Sequence, residues 1–210
     1  MEPAYYNPWN DIRFTQNRLP HWQQEGATYF VTWRLADSLP KEELERHFAE
    51  RELWLNRHPP PWDDETEDRY HRLFSAKMDE WLDLGQGSCA LRSPAVASHV
   101  VEALRHFEGD RVSIISFVVM PNHVHALFTL NPASKLESII HSWKRQSARE
   151  INRAIGKTGP LWQKDYFDRL IRDRAHLSNC VRYIRRNPSK ARLGPSESLL
   201  HESELASSIE

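Results

Sequence analysis

The chain has 210 residues, 40% of them hydrophobic and 27% charged, with a formal net charge of −1. That is an ordinary composition for a soluble globular protein, long enough for one good core without a two-domain split. No window approaches the roughly 18 apolar residues of a membrane span, and the opening MEPAYYNPWNDIRF has no apolar signal-peptide core. Only Cys89 and Cys180 are present, with no CxxC and no metal-ligand spacing. They fit a reduced cytoplasm, with a single disulfide as the alternative.

Residues 27–35, ATYFVTWRL, alternate well enough for a strand. Residues 41–57 are charged and helix-favouring, His58-Pro59-Pro60-Pro61-Trp62 breaks them, and residues 64–83 resume helical spacing. The pair reads as a helical hairpin inserted at 41–84. Ser93-Pro94 starts a helix with Val96, Val100, Leu104 and Phe107 on one face and Gly109 as its stop. Residues 112–120 form an almost continuous apolar run. Pro121-Asn122 interrupts it, and residues 123–130 return as a second strand. Ser134 and Glu137 have capping-box spacing before a helix whose stripe is Leu136, Ile139, Ile140, Trp143, Ser147, Ile151 and Ala154, ended by Gly156. Residues 166–171 make a short strand. A last helix starts near Asp173, presents Leu177, Cys180, Val181 and Ile184, and meets Pro188. The polar, acidic remainder is expected to be flexible.

The order β-α-β-β-α-β-α suits a ferredoxin-like α+β sandwich, an antiparallel sheet with helices on one face. Residues 1–194 are expected to be one domain, with 41–84 inserted and 195–210 an acidic flexible tail.

The near-zero net charge hides an asymmetry. Residues 135–193 hold 15 Lys and Arg against 5 Asp and Glu, a net of +10, so the remainder carries −11. A basic C-terminal half is the footprint of a polyanion-binding face, or a set of solvated helix faces.

His123 and His125 lie two residues apart on the second strand of the 112–130 pair, so their side chains point the same way. They are metal ligands on a rigid platform or two histidines of a solvated strand face. Tyr183 and Asn187 lie one above the other on the last helix, at the edge of its apolar stripe. Arg182, Arg185 and Arg186 surround them. Tyr183 is then a nucleophile beside cations or an amphipathic rim residue. A phenol has a pKa of about 10 and needs help to attack. A divalent metal on the histidine pair and a third oxygen ligand would polarise a phosphate. Mixed N/O ligation suits Mg²⁺ or Mn²⁺, without excluding Zn²⁺. Together these parts could cut single-stranded DNA through a phosphotyrosine. Trp162, Gln163, Lys164, Tyr166 and Arg169 mix aromatic and basic groups as a single-strand path requires, with core packing the alternative for Trp162 and Tyr166. Lys144, Arg145 and Arg149 are phosphate-contact candidates.

The segments VVMPNHVHAL, HSWK, GPLWQKDYFDRLIRD and YIRRNPSKARLG, with RLPHWQQEGATYFVTWRL and LDLGQGSCALRSP before them, resemble the transposase-like HUH nucleases. Within these they look like the REP-associated tyrosine transposases, over most of residues 18–194. The resemblance implies a ferredoxin-like catalytic domain and metal-dependent cleavage of single-stranded DNA. It places the metal pair on His123 and His125 and the nucleophile on Tyr183. Asn187 stands where relatives carry a metal-binding glutamine, with the same amide oxygen on a shorter arm. It further implies DNA hairpins of the bacterial REP type as partners, a cytoplasmic, nucleoid-associated location and a monomer or homodimer. Two other readings stay open: a domesticated hairpin-binding protein without catalysis, and a metal-dependent hydrolase that uses water.

Overall fold

The computed structural model describes residues 2–16, 20–59 and 62–210. Pro60 and Pro61 of the expected helix break, and Arg18 and Leu19 of the early motif, lie outside the described residues.

Arg13–Gln16 (β1) and Pro20–Gln23 (β2) pair antiparallel, a small ribbon that periodicity did not indicate. Thr28–Arg34 (β3) follows and is buried along its whole length. The expected insertion is Lys41–Arg57 (α1), Asp64–Tyr70 (α2) and Ala76–Asp83 (α3), with one π-helical turn at His71–Ser75 joining the last two. Trp54, Tyr70 and Phe74 bury against one another inside it, a small aromatic core of its own. Gly87 closes the insertion against the turn after β3. Its φ is +82° and a Cβ there would lie 2.3 Å from the Asp37 carbonyl oxygen, so only glycine fits.

Next come Pro94–Arg105 (α4), Val112–Val119 (β4), His123–Leu130 (β5), Leu136–Ile155 (α5), Phe167–Leu170 (β6) and Arg174–Lys190 (α6). Proline at the first turn begins α4, and Gly156 in the left-handed conformation ends α5. The capping box is not formed. Lys135 is the N-cap of α5 and no side chain caps it, because the helix begins at Leu136, one position too late for Ser134.

The main sheet is antiparallel throughout, in the order β6-β3-β5-β4, with Leu199–Glu202 (β7) added outside β4. With α4 and α5 as the two crossovers, β3-α4-β4-β5-α5-β6 is the expected ferredoxin-like α+β arrangement. Helices cover both faces, however, and not one. Tyr29, Val31, Trp33, Val124, Ala126 and Phe128 pack beneath α4 and α5. Phe30, Ile115, Val118 and Leu127 on the other face receive Leu177, Cys180, Val181 and Ile184 of α6. The strands are apolar on both sides, and the second face needs a cover of its own. Each fully buried Leu or Ile in it is worth about 1.5–3 kcal/mol.

The tail is also unlike the expectation. β7 pairs with Ser116–Val119 of β4, Ser203 caps the short helix Glu204–Ser207 (α7), and Ala206 is fully buried. Its acidic composition concealed the apolar Leu199, Leu205, Ala206 and Ile209 that dock on the core. Both cysteines are free and buried. Among the described residues no helix is long and apolar enough to cross a membrane.

Candidate active site

Because β5 side chains alternate, His123, His125 and Leu127 face α6 while Val124, Ala126 and Phe128 face α5. The two histidines are 1% and 0% exposed, so they are not on a solvated face. Their Nε2 atoms converge to 3.0 Å. Each Nδ1 has its own partner: Asn122 Oδ1 at 2.7 Å from His123, and Thr32 Oγ1 at 2.7 Å from His125. An amide oxygen only accepts, so His123 Nδ1 carries the proton and its Nε2 presents a lone pair. Asn122 is itself held, donating through Nδ2 to the carbonyls of Leu82 and Gln86. Burial, then the charge of Lys190, pushes His123 down to about 3. Burial and the neighbouring His123 push His125 down as well. Both are neutral imidazoles, the form that binds a metal.

α6 supplies the next two groups, one turn apart. The Tyr183 ring meets His125 edge-on at 5.2 Å and Phe30 at 5.8 Å between centroids. Asn187 Nδ2 lies 3.4 Å from His125 Nε2, and Asn187 Oδ1 is buried with no hydrogen-bond partner among the described residues. The helix runs through Pro188 to Lys190, so the proline does not turn Asn187 away. Two neutral imidazole nitrogens and one orphaned amide oxygen are a donor set that fits a divalent cation. Nitrogens 3.0 Å apart can share one ion through bonds of about 2.1 Å. Among the described residues no three of His, Cys, Asp and Glu converge on a metal position.

The insertion closes over this group, which periodicity alone did not foresee. Asp79 and Asp83, one turn apart on α3, both turn toward the site. Asp79 faces the Tyr183 hydroxyl, which is buried and meets hydrogen-bond geometry with nothing among the described residues. Burial pushes the Asp79 carboxyl up to about 7. Burial and then the Asp79 charge hold the Tyr183 phenol well above its ordinary value. Asp83 pairs with Lys190 of α6 at 2.9 Å. Thr32, Asn122, Asp79 and Asp83 were all missed. The one sequence signal for the acids was the i, i+4 spacing of two aspartates in a helix otherwise lined for packing.

The other sequence-selected residues divide. Arg169 does reach this face: its guanidinium lies 5.8 Å from the Phe167 ring centroid, and the charges of Asp79 and Tyr183 act on it. Trp162 and Tyr166 are core residues. Trp162 donates to Ser147 Oγ and packs edge-on to Trp33, while Tyr166 stacks on His21 at 4.4 Å. Neither offers a ring to a base. Lys144 is partly buried and donates to the carbonyls of Gln163, Lys164 and Asp165 at 2.7–3.3 Å, so its ammonium is engaged in holding a loop at the wall of an open groove. Burial lowers it to about 8. Arg145, Gln163 and Lys164 line an open groove of about 1240 Å³ along α5, on the opposite side of the sheet from Tyr183. Arg149 is exposed and paired with Glu150. Arg182 and Arg185 hold the C-terminus: Arg182 donates to the Glu210 carbonyl, and Arg185 to Glu202 and to the carbonyls of Ala206 and Ile209. Arg186 is exposed.

Residues 91–187, from the turn before α4 to Asn187, match the family model described as Transposase IS200 like. That stretch, a little under half of the chain, is similar to an IS200-like transposase domain. The resemblance read from the motifs is borne out. A Haemophilus influenzae (strain Rd) protein described as a candidate REP-associated tyrosine transposase is 28% identical over 99 residues, 42% of this chain and 54% of the relative. The match thus spans about half the length of that curated relative. Among solved structures, a REP-associated tyrosine transposase bound to a REP hairpin aligns over 83% of this chain and 74% of its own, at 18% identity and a TM-score of 0.45. A candidate transposase from Deinococcus radiodurans R1 aligns over 76% and 89%, at 16% identity and 0.36. The matched stretch contains His123, His125, Tyr183 and Asn187, whereas Asp79 and Asp83 come from outside it.

Proposed function

We propose that the chain is a single-stranded DNA endonuclease and strand transferase acting on DNA hairpins, with Tyr183 as nucleophile. The observation that carries this reading is the convergence of His123 Nε2 and His125 Nε2 at 3.0 Å, with the Tyr183 ring against His125. A cation between the two nitrogens would replace the single N–H···N hydrogen bond that joins these buried, neutral imidazoles.

His123, His125 and Asn187 would hold the cation, Mg²⁺ or Mn²⁺, whose chemistry is to polarise the scissile phosphate. Asn122 and Thr32 keep the imidazoles oriented, as outer partners do for metal-binding histidines. In the step itself the Tyr183 oxygen bonds to phosphorus while the bond from phosphorus to the 3′ oxygen breaks. The phenol proton ends on the departing 3′-hydroxyl. The 5′ end stays on Tyr183, and a later 3′-hydroxyl reverses the exchange without ATP. In the closed arrangement burial and Asp79 hold the phenol above its ordinary pKa, and a shift of α3 as DNA enters would relieve both.

The test is a labelled panel of hairpin oligonucleotides from repetitive palindromes, with Mn²⁺ or Mg²⁺, read as a denaturation-resistant protein–DNA adduct. A metal-dependent adduct lost in Tyr183→Phe is expected. Cleavage retained by that variant would transfer the role to water, and specific binding without any adduct would favour a hairpin-binding protein without catalysis.

A further inference from the structure

We propose that the cavity between β3 and the insertion takes one phosphate of the single-stranded DNA backbone, held by Arg34 next to the scissile position. The proposal rests on the DNA-processing reading above. The cavity is about 80 Å³ and its walls include Thr32, Arg34, His47, Phe74, Asp79 and Phe167. Arg34 is 7% exposed, and among the described residues its hydrogen bonds run from Nη1, to Ser38 Oγ at 3.0 Å and the Leu35 carbonyl at 3.5 Å. Among the described residues no carboxylate pairs with it. A guanidinium buried without an acidic partner is rare, because desolvation of the charge goes uncompensated. Its fork of remaining donors matches a phosphate.

A second observation points the same way. His47, on α1, is 3% exposed, and its Nδ1 is buried with no hydrogen-bond partner among the described residues. It supplies a second nitrogen in the same wall. Size favours a small ligand: at about 80 Å³ the cavity is smaller than the roughly 150 Å³ hole known to hold a benzene ring, and suits a tetrahedral oxyanion better than a base. The carboxyls in the wall are Asp79 and Asp165, and Asp165 is already paired with His21. An anion would therefore settle on the Arg34 side, away from Asp79.

Register ties this cavity to the active site. Arg34 is directly opposite His123 across the β3–β5 pair, and opposed residues point to one face. Thr32, also in the wall, bonds His125. A phosphate on Arg34 would thus neighbour one beside the histidine pair, on the same strand.

The experiment is a scan of the hairpin oligonucleotide with a single uncharged methylphosphonate at each position, measuring affinity for the wild type and Arg34→Gln without added metal. One position near the cleavage site should weaken wild-type binding about 10- to 100-fold, with no further loss there in Arg34→Gln. Equal losses at every position in both proteins overturn the proposal. Should Arg34→Gln not fold, the wild-type Arg34 Nε–H and His47 ring NMR signals serve instead. They should shift with the unmodified hairpin and not with the oligonucleotide modified at that position, and shifts indifferent to the modification overturn it. Saturation of those signals by inorganic phosphate alone, with a flat scan, assigns the cavity to free phosphate and also overturns the backbone assignment. A positive scan with no tyrosine adduct keeps the phosphate site and removes the nuclease reading.

Discussion

Lys190 Nζ on α6 lies 2.9 Å from Asp83 Oδ2 on α3, fastening the inserted helices to the helix that carries Tyr183. Lys190 is half exposed, so the pair is worth at most about 1 kcal/mol of stability. On the proposed reading its larger effect is on access. Asp83→Asn should leave the melting temperature within a few degrees while speeding amide exchange across α3 and raising the rate of adduct formation. Unchanged exchange in α3, measured by mass spectrometry, would show that this pair does not hold the cover.

Tyr183→Phe should fold as well as the wild type. The hydroxyl is buried and makes no hydrogen bond within normal geometry, so removing it deletes a desolvated polar group and leaves no partner unsatisfied. Denaturant unfolding should give a stability within about 0.5 kcal/mol of wild type, or higher. A loss above about 2 kcal/mol would reveal a strong hydrogen bond to the hydroxyl.

The donor set makes metal binding separable from catalysis. His125→Ala should abolish saturable Mn²⁺ binding by calorimetry, while Asn187→Ala should weaken it about tenfold or more. Asn187→Asp, which puts a charged oxygen in place of the orphaned one, should tighten it. Equal Mn²⁺ affinity in the Asn187 variants would remove Asn187 from the ligand set.

His21 couples the small β1–β2 ribbon to β6. Its Nδ1 meets Asp168 and its Nε2 lies 3.1 Å from Asp165. Burial alone would lower its pKa, but the two carboxylates outweigh that and raise it from 6.5 to about 9. A folded-state pKa above the unfolded one contributes stability that is fully present below pH 6.5 and lost as pH rises through 9. The wild type should therefore lose on the order of 2 kcal/mol between pH 6.5 and 9, a slope that His21→Gln removes. Parallel pH profiles for the two proteins would contradict the assignment.

The sequence by itself determined the order of the core elements from β3 to α6, the β5 and α1 boundaries, the Gly156 stop of α5 and the juxtaposition of Tyr183 with Asn187. Each of these depends on local periodicity or on a backbone preference within a few residues, and such information is written in the chain. It also marked His123 and His125 as sharing a face, since strand alternation admits no other result. Only the tertiary structure decided which face α6 covers and that residues 199–207 dock on the core. It also decided that Trp162, Tyr166, Lys144 and Arg185 are committed to internal contacts, and that α3 brings Asp79 and Asp83 over the tyrosine. Those outcomes turn on pairing between residues dozens of positions apart. An aromatic or basic residue reads the same whether a base, a carbonyl or another ring receives it, and only packing selects among them.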